Sequence, residues 1–375
     1  MSRPNARFVI ALLIPILAVA FFFFRTSRAY RVPDMSSPGA GPWSEARDVN
    51  GTRHLVPPER ILPAGVMPES VPALEHPSFE SVPAADQHLD DAGTGIVVEA
   101  GNRQRFYPFQ ILVWHQVVND VVDGRSIVVF HDPLSGASGA SERGRAEGDS
   151  SVFLVSGNVY EGHSLLQDRQ TGSLWSPVLG VSVRGTLAGT SLVPSPQTVL
   201  MTWGAFKQKY PGAEVLSRNT GFERDYTRNP YEAYASSNQV WFPLSSLDGR
   251  LPAKARVYGF VLENGAKAYP VEAVTTQPVL SDTVGGEGVL FLHDAESGVT
   301  HVFSRHVGDQ TLTFQTSEDD VQDVETGSTW DLEGRAVGGP LAGTRLEPIS
   351  AMPLYWFAWA AIYPETELFS KVTPP

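Results

Sequence analysis

The chain contains no cysteine. That absence removes disulfides, zinc–thiolate sites, iron–sulfur clusters and cysteine nucleophiles, so any chemistry must use oxygen and imidazole. Basic residues are in deficit: 28 Lys+Arg stand against 41 Asp+Glu, for a formal net charge of -13. A surface of that sign does not suit a phosphate backbone, which argues against nucleic acid as a partner. Diagnostic motifs are also missing. No two histidines have the tight i, i+4 spacing of a zincin helix, Ser135 in Leu134-Ser135-Gly136-Ala137 lacks a Gly-x-Ser-x-Gly elbow, and glycine-rich words such as Val284-Gly285-Gly286 carry no phosphate-loop pattern.

One long apolar run is present, from Phe8 to Phe24, flanked by Arg3, Arg7 and Arg25. At about 1.5 Å per residue it spans roughly 25 Å, the short end of a transmembrane helix. We read residues 1–29 as an uncleaved single-pass anchor. The rival is a cleaved signal peptide ending near Ala18-Val19-Ala20, although Phe21 to Phe24 suit a span better. Short basic N-termini usually stay inside, which places the body on the extracytoplasmic, periplasmic side of the cell membrane. Residues 30–93 carry ten prolines and no sustained period, and read as an extended connector whose apolar words, such as Ile61-Leu62, pack on the body as irregular coil.

Beyond Gly93 the chain repeats itself. Tyr107-Pro108 recurs as Tyr269-Pro270 and Ser135-Gly136 as Ser297-Gly298, an offset of 162 (269 minus 107). Further on, Asp168 and Trp175 recur as Asp323 and Trp330, and Leu187-Ala188-Gly189-Thr190 as Leu341-Ala342-Gly343-Thr344; 323 minus 168 gives 155. The slip falls at the Ser/Gly/Glu-rich stretch Ala137 to Ser151, a surface loop. The expectation is a mainly β fold with short helices: a tandem duplication of one β-rich domain, 94–222 and 256–370, with a crossing at 223–255.

Local patterns agree. Gly101-Asn102 reads as a tight turn between two strands, Phe109 to Val118 has helical spacing, and Ile127 to Phe130 and Val289 to Leu292 are central-strand words. Thr202 caps a helix through Tyr210, and Leu354 to Tyr363 occupies the equivalent place as core.

Residues shared by both copies favour fold roles, and residues held by one copy are free to serve a site. Trp114, His115 and Asn119 face Thr276, Gln277 and Ser281, while Tyr160-Glu161-Gly162-His163 has no counterpart. The first copy therefore owns the candidate site. Catalytic candidates are His115, Asp132, Ser135 and Tyr160; binding candidates are Trp114, His115, Asn119, His163, Asp225 and Tyr226; metal candidates are His115, His131, Asp132 and His163. Beside each stands a bland reading: His115 as a satisfied polar residue, His131-Asp132 as a strand end with an Asp turn, Ser135 as a turn residue, Asp225, Tyr226 and Tyr231 as interdomain stitching.

The words Trp114 to Asp120, Tyr160, Asp168 to Trp175, Leu187 to Thr190 and Thr220 to Tyr226 resemble an uncharacterised bacterial family, domain of unknown function 3179, over roughly Gly93 to Phe369. The resemblance implies an exported or anchored protein without an assigned reaction. Members commonly carry Cys-Pro-Leu-Cys after the strand corresponding to Ile127 to Phe130, which implies thiol redox or metal chemistry there. This chain has Asp132-Pro133-Leu134-Ser135 instead, so thiol-dependent activity is excluded. The sequence reading is a non-catalytic binding or envelope-associated module whose partners are the membrane, through Phe8 to Phe24, and a small ligand or envelope protein. Its rival is a His-based or metal-dependent enzyme, or a metal-binding protein, working in the first copy.

Overall fold

Alternation of apolar and polar residues builds the chain from short strands, and the long central ones are apolar on both faces. The computed structural model describes residues 45–370 apart from 144, 147, 148, 195–197, 263, 264, 318, 319 and 350. The fold is mainly β with a few short helices. Among the described residues no helix is long and apolar enough to cross a membrane, and the anchor expected at Phe8 to Phe24 lies outside them.

The first half opens with the hairpin Thr94–Ala100 and Arg103–Pro108, turned at Gly101 with φ +57°. Strand Thr198–Thr202 pairs antiparallel with the first hairpin strand, and Glu214–Leu216 pairs parallel with the second. In the second half the hairpin is Arg256–Leu262 and Gly265–Pro270; Met352–Tyr355 pairs antiparallel with its first strand and Glu367–Leu368 parallel with its second. A helix follows each hairpin, Phe109–His115 and Val271–Thr275, and a three-strand meander follows each helix.

Strand Arg125–His131 is the centre of the first half. Ile127 and Val129 pack with Ile96, Val98, Tyr107, Ile111 and Leu112, whereas Val128 and Phe130 pack with Phe153, Val155, Leu166 and Trp175. Strand Glu287–His293 divides its side chains in the same way, Val289 and Phe291 toward Tyr269, Leu290 and Leu292 toward Phe314 and Trp330. The expected helix from Phe109 stops at His115, because Gln116 takes a left-handed conformation at φ +59° and turns the chain into strand Val117–Val122. Asn119 therefore lies on a strand. Thr202 caps helix Trp203–Lys209 by accepting the N–H of Ala205, and every residue of helix Trp356–Ile362 is buried.

The stretch read as an extended connector is built into the body from residue 45 onward. Arg47–Val49 and Thr52–His54 form a hairpin on the edge of a seven-stranded sheet, Ile61–Pro63 forms its opposite edge, and Phe79–Ser81 pairs with Glu214–Leu216. Two of its prolines, Pro58 and Pro68, sit where no N–H is needed, at the first turns of Pro58–Arg60 and Pro68–Ser70. Val56, Leu62, Leu74, Val82 and Ala85 are buried, contacts whose distant partners no local pattern announces.

Candidate functional site

The turn after strand Arg125–His131 gathers a buried polar cluster. Asp132 closes it through its backbone: its N–H donates to Ala137 O at 2.8 Å and its carbonyl accepts the N–H of Gly136 at 2.8 Å. The Asp132 carboxylate accepts five hydrogen bonds. Oδ1 takes Leu134 N–H (3.1 Å) and Ser164 Oγ–H (2.8 Å); Oδ2 takes Ser135 N–H (3.3 Å), Ser135 Oγ–H (2.5 Å) and Ser164 N–H (3.0 Å). A buried carboxylate is tolerated only with such compensation.

The matching turn in the second half keeps the local part of this network. Ser297 Oγ donates to Asp294 Oδ2 at 2.5 Å and Glu296 N–H to Oδ1 at 2.9 Å. Asp294 and Ser297 are only half-buried, whereas Asp132 and Ser135 are buried. The difference is Ser164, which strand His163–Asp168 brings to Asp132 from the seven-stranded sheet.

Tyrosines surround the Asp132 turn. Tyr234 donates to Leu134 O at 2.9 Å, and Tyr355 N–H donates to Ser135 O at 2.7 Å. Burial first, then the nearby Asp132 charge, pushes the Tyr231 phenol up to about 12. Lys254 lies 3.2 Å from the Tyr234 ring centroid, and burial lowers its pKa. Gln116, not among the site candidates, donates to Tyr231 OH at 3.1 Å.

His115 turns elsewhere. It is fully buried, its Nδ1 lies 2.8 Å from Pro72 O and its Nε2 2.7 Å from Tyr226 OH, which in turn meets Thr220 Oγ1 at 2.5 Å. Since a carbonyl only accepts, Nδ1 carries the proton and Nε2 accepts from Tyr226; Thr220 then donates to the phenolic oxygen. Burial holds His115 at about 4, with the charge of Arg224 adding to the effect and the Pro72 bond opposing it. The ring is neutral at ordinary pH.

The other candidates are likewise held. Asn119 bridges strands by donating to Phe153 O and accepting Phe153 N–H, both at 2.8 Å. Trp114 Nε1 donates to Arg228 O at 3.0 Å. His131 stacks on Phe109 at 4.1 Å with Nδ1 2.8 Å from Ser138 Oγ; burial, then Arg256, lowers it to about 3. His163 is lowered to about 3 by burial, with Nε2 2.7 Å from Ser176 Oγ and Nδ1 without a partner among the described residues. Tyr160 is buried beside it, the two rings 5.8 Å apart and edge-on. Asp225 is exposed and accepts Thr227 N–H and Oγ–H in a local turn.

The structure thus brings Asp132, Ser135, Gln116, Tyr231, Tyr234 and Ser164 together and sends His115, with Tyr226, to the Pro72 side. Among the described residues no group of three or more His, Asp or Glu side chains is placed to hold a metal. Ser135 donates to Asp132 and accepts Ala137 N–H at 3.3 Å, so its hydroxyl proton goes to a carboxylate and not to an imidazole. The same hydroxyl-to-carboxylate contact joins Ser297 to Asp294 in the second half. Sequence reasoning passed over Glu161, a residue of a word it had singled out. At φ +44°, Glu161 accepts the Nε–H of Arg60 at 3.1 Å and both the N–H (2.8 Å) and Oγ–H (3.0 Å) of Ser245.

The family described as Protein of unknown function (DUF3179) matches residues 68–366, and the chain belongs to it. No curated protein and no solved structure matches.

Proposed function

We propose that this chain is a membrane-anchored, extracytoplasmic protein whose body, a tandem duplication of one β-rich domain, is a non-catalytic binding or envelope-associated module. The anchor rests on the apolar run Phe8 to Phe24 and its basic flanks. The duplication is supported by the shared motifs and by matching sheet orders, in which each hairpin is flanked by one antiparallel and one parallel partner.

The observation that carries the non-catalytic reading is the commitment of Asp132. All five of its hydrogen bonds come from within the protein, and the hydroxyl at the second motif position, Ser135, is tied to it. By the family resemblance these two positions belong to cysteines in relatives. Here the pair has become an O–H···O contact of 2.5 Å, which retains a link across the turn without a redox function. The neutral, buried imidazoles of His115, His131 and His163 support the same reading.

Metal analysis of protein purified without an affinity tag tests it. The expected result is no stoichiometric transition metal; a stoichiometric metal lost on replacing His115 or Asp132 overturns the reading. Location is tested separately by a reporter fused after Gly93, which should be active only outside the cytoplasm.

A further inference from the structure

The seven-stranded sheet runs from hairpin Arg47–Val49/Thr52–His54, through Val181–Arg184 and onward to Phe153–Tyr160 and Ile61–Pro63. Both ends of that sheet border one open cleft of about 340 Å³, lined by Asn50, Thr52 and His54 from one end, Asn158 and Ile61 from the other, and Arg184 between. The volume is at the lower end of the roughly 300–1,000 Å³ of small-molecule sites, which often lie where a curved sheet opens.

Two side chains give the cleft its chemistry. His54 and Arg184 are cross-strand partners, so their side chains lie side by side on one face. His54 is only 5% exposed, yet its Nδ1 has no hydrogen-bond partner among the described residues. It is one of seven such atoms among the described residues, each a place where water or a ligand can be held, and the one that belongs to a residue lining this cleft. Arg184 is exposed and forms no ion pair or side-chain hydrogen bond among the described residues, leaving a guanidinium fork suited to a carboxylate. The remaining lining is neutral and amphipathic: Asn50, Thr52 and Asn158 offer donors and acceptors, and Val49, Pro58 and Ile61 offer apolar surface.

We propose that this cleft binds a small, singly charged, hydroxyl-rich carboxylate, of the chemical class of the sugar acids, with the carboxylate on Arg184 and His54 and the hydroxyls on the amides. One guanidinium matches one negative charge. The exposed carboxylates of Asp48 and Glu59, both close enough to act on His54, disfavour a dianion such as phosphate. The site uses neither the Asp132 turn nor any residue of the second half.

The assignment rests on the reading of a binding module and can fail alone, since metal content and location test that reading. Full-length protein in detergent is titrated calorimetrically with D-glucuronate, D-glucose and inorganic phosphate. Saturable glucuronate binding is expected, at least tenfold tighter than glucose or phosphate, weakened at least tenfold in Arg184→Gln and partly restored in Arg184→Lys. His54→Phe provides a second variant, with thermal unfolding as a check on its fold. Absence of saturable glucuronate binding, equal binding of glucose, preferred binding of phosphate, or glucuronate binding unchanged in Arg184→Gln each overturns the proposal.

Discussion

Ser164 donates to Asp132 twice, through its backbone N–H at 3.0 Å and its hydroxyl at 2.8 Å. This pair joins a turn to a strand more than thirty residues away and separates the buried Asp132 turn from its half-exposed counterpart at Asp294. Ser164→Ala removes one hydrogen bond to a charged group and should cost about 1.5–3 kcal/mol. Denaturant unfolding of the variant measures it. Among the described residues none approaches Asp294 in this way, so Ser297→Ala should cost less than Ser135→Ala, and equal losses would contradict the account.

Arg60 and Glu161 form an ion pair with side-chain exposures of 5% and 1%. Removing one partner leaves a buried, uncompensated charge, at a typical cost of about 3–5 kcal/mol. Arg60→Met and Glu161→Gln should each be strongly destabilising, and the double variant should lose less than the sum of the two. A double-mutant cycle in urea gives the coupling. Additivity within error would show that the pair acts as two separate side chains.

His115, His131 and His163 all have pKa values lowered by burial, to about 4, about 3 and about 3, from 6.5. The unfolded chain therefore binds more protons than the folded one below pH 6.5, and stability falls with falling pH. These three contributions are complete above about pH 6.5 and are lost progressively toward pH 4 for His115 and pH 3 for the other two. Unfolding midpoints at several pH values from 7 to 4 should show this slope. His163→Gln should flatten it by about one proton even where it lowers stability at pH 7; an unchanged slope would show that His163 binds its proton equally in the folded and unfolded chain.

Asp168 and Asp323 each accept the indole N–H of a tryptophan seven residues on, Trp175 at 3.0 Å and Trp330 at 2.9 Å, as well as the N–H of a threonine three residues on. Both aspartates are buried. Asp168→Asn and Asp323→Asn should each lower stability by about 1.5–3 kcal/mol and red-shift the fluorescence of the tryptophan concerned. A large effect in one half alone would argue against a common structural role.

Much of the fold was legible because the signals were local. Gly101-Asn102 marks a turn, Thr202 a cap, and the apolar words Ile127 to Phe130 and Val289 to Leu292 mark strands buried on both faces. The comparison of the two halves marked Asp132 and Ser135 as turn residues shared with Asp294 and Ser297, but the details of the turn depend on partners that are remote in sequence. Ser164 looks like any polar residue in an alternating strand, and nothing near Glu161 announces Arg60. The direction of His115 depends on a carbonyl in a proline-rich stretch and on a tyrosine of the crossing. Gln116 was not a site candidate because the helical spacing runs through it, whereas its left-handed backbone ends the helix and aims its amide at Tyr231. The segment from residue 45 lacks any sustained period because its strands are three residues long.

The bond from Tyr355 N–H to Ser135 O has a kinetic side. The Asp132 turn is complete only when a strand made some two hundred residues later is in place, and the partner of Glu161, Arg60, was made about a hundred residues earlier. Closing such long loops is slow, because chain entropy is lost before the contacts are gained. A nascent chain that has reached only the middle of its sequence cannot finish its own centre. Shortening the C-terminus before Met352 should therefore impair folding of residues in the first half that the cut never touches.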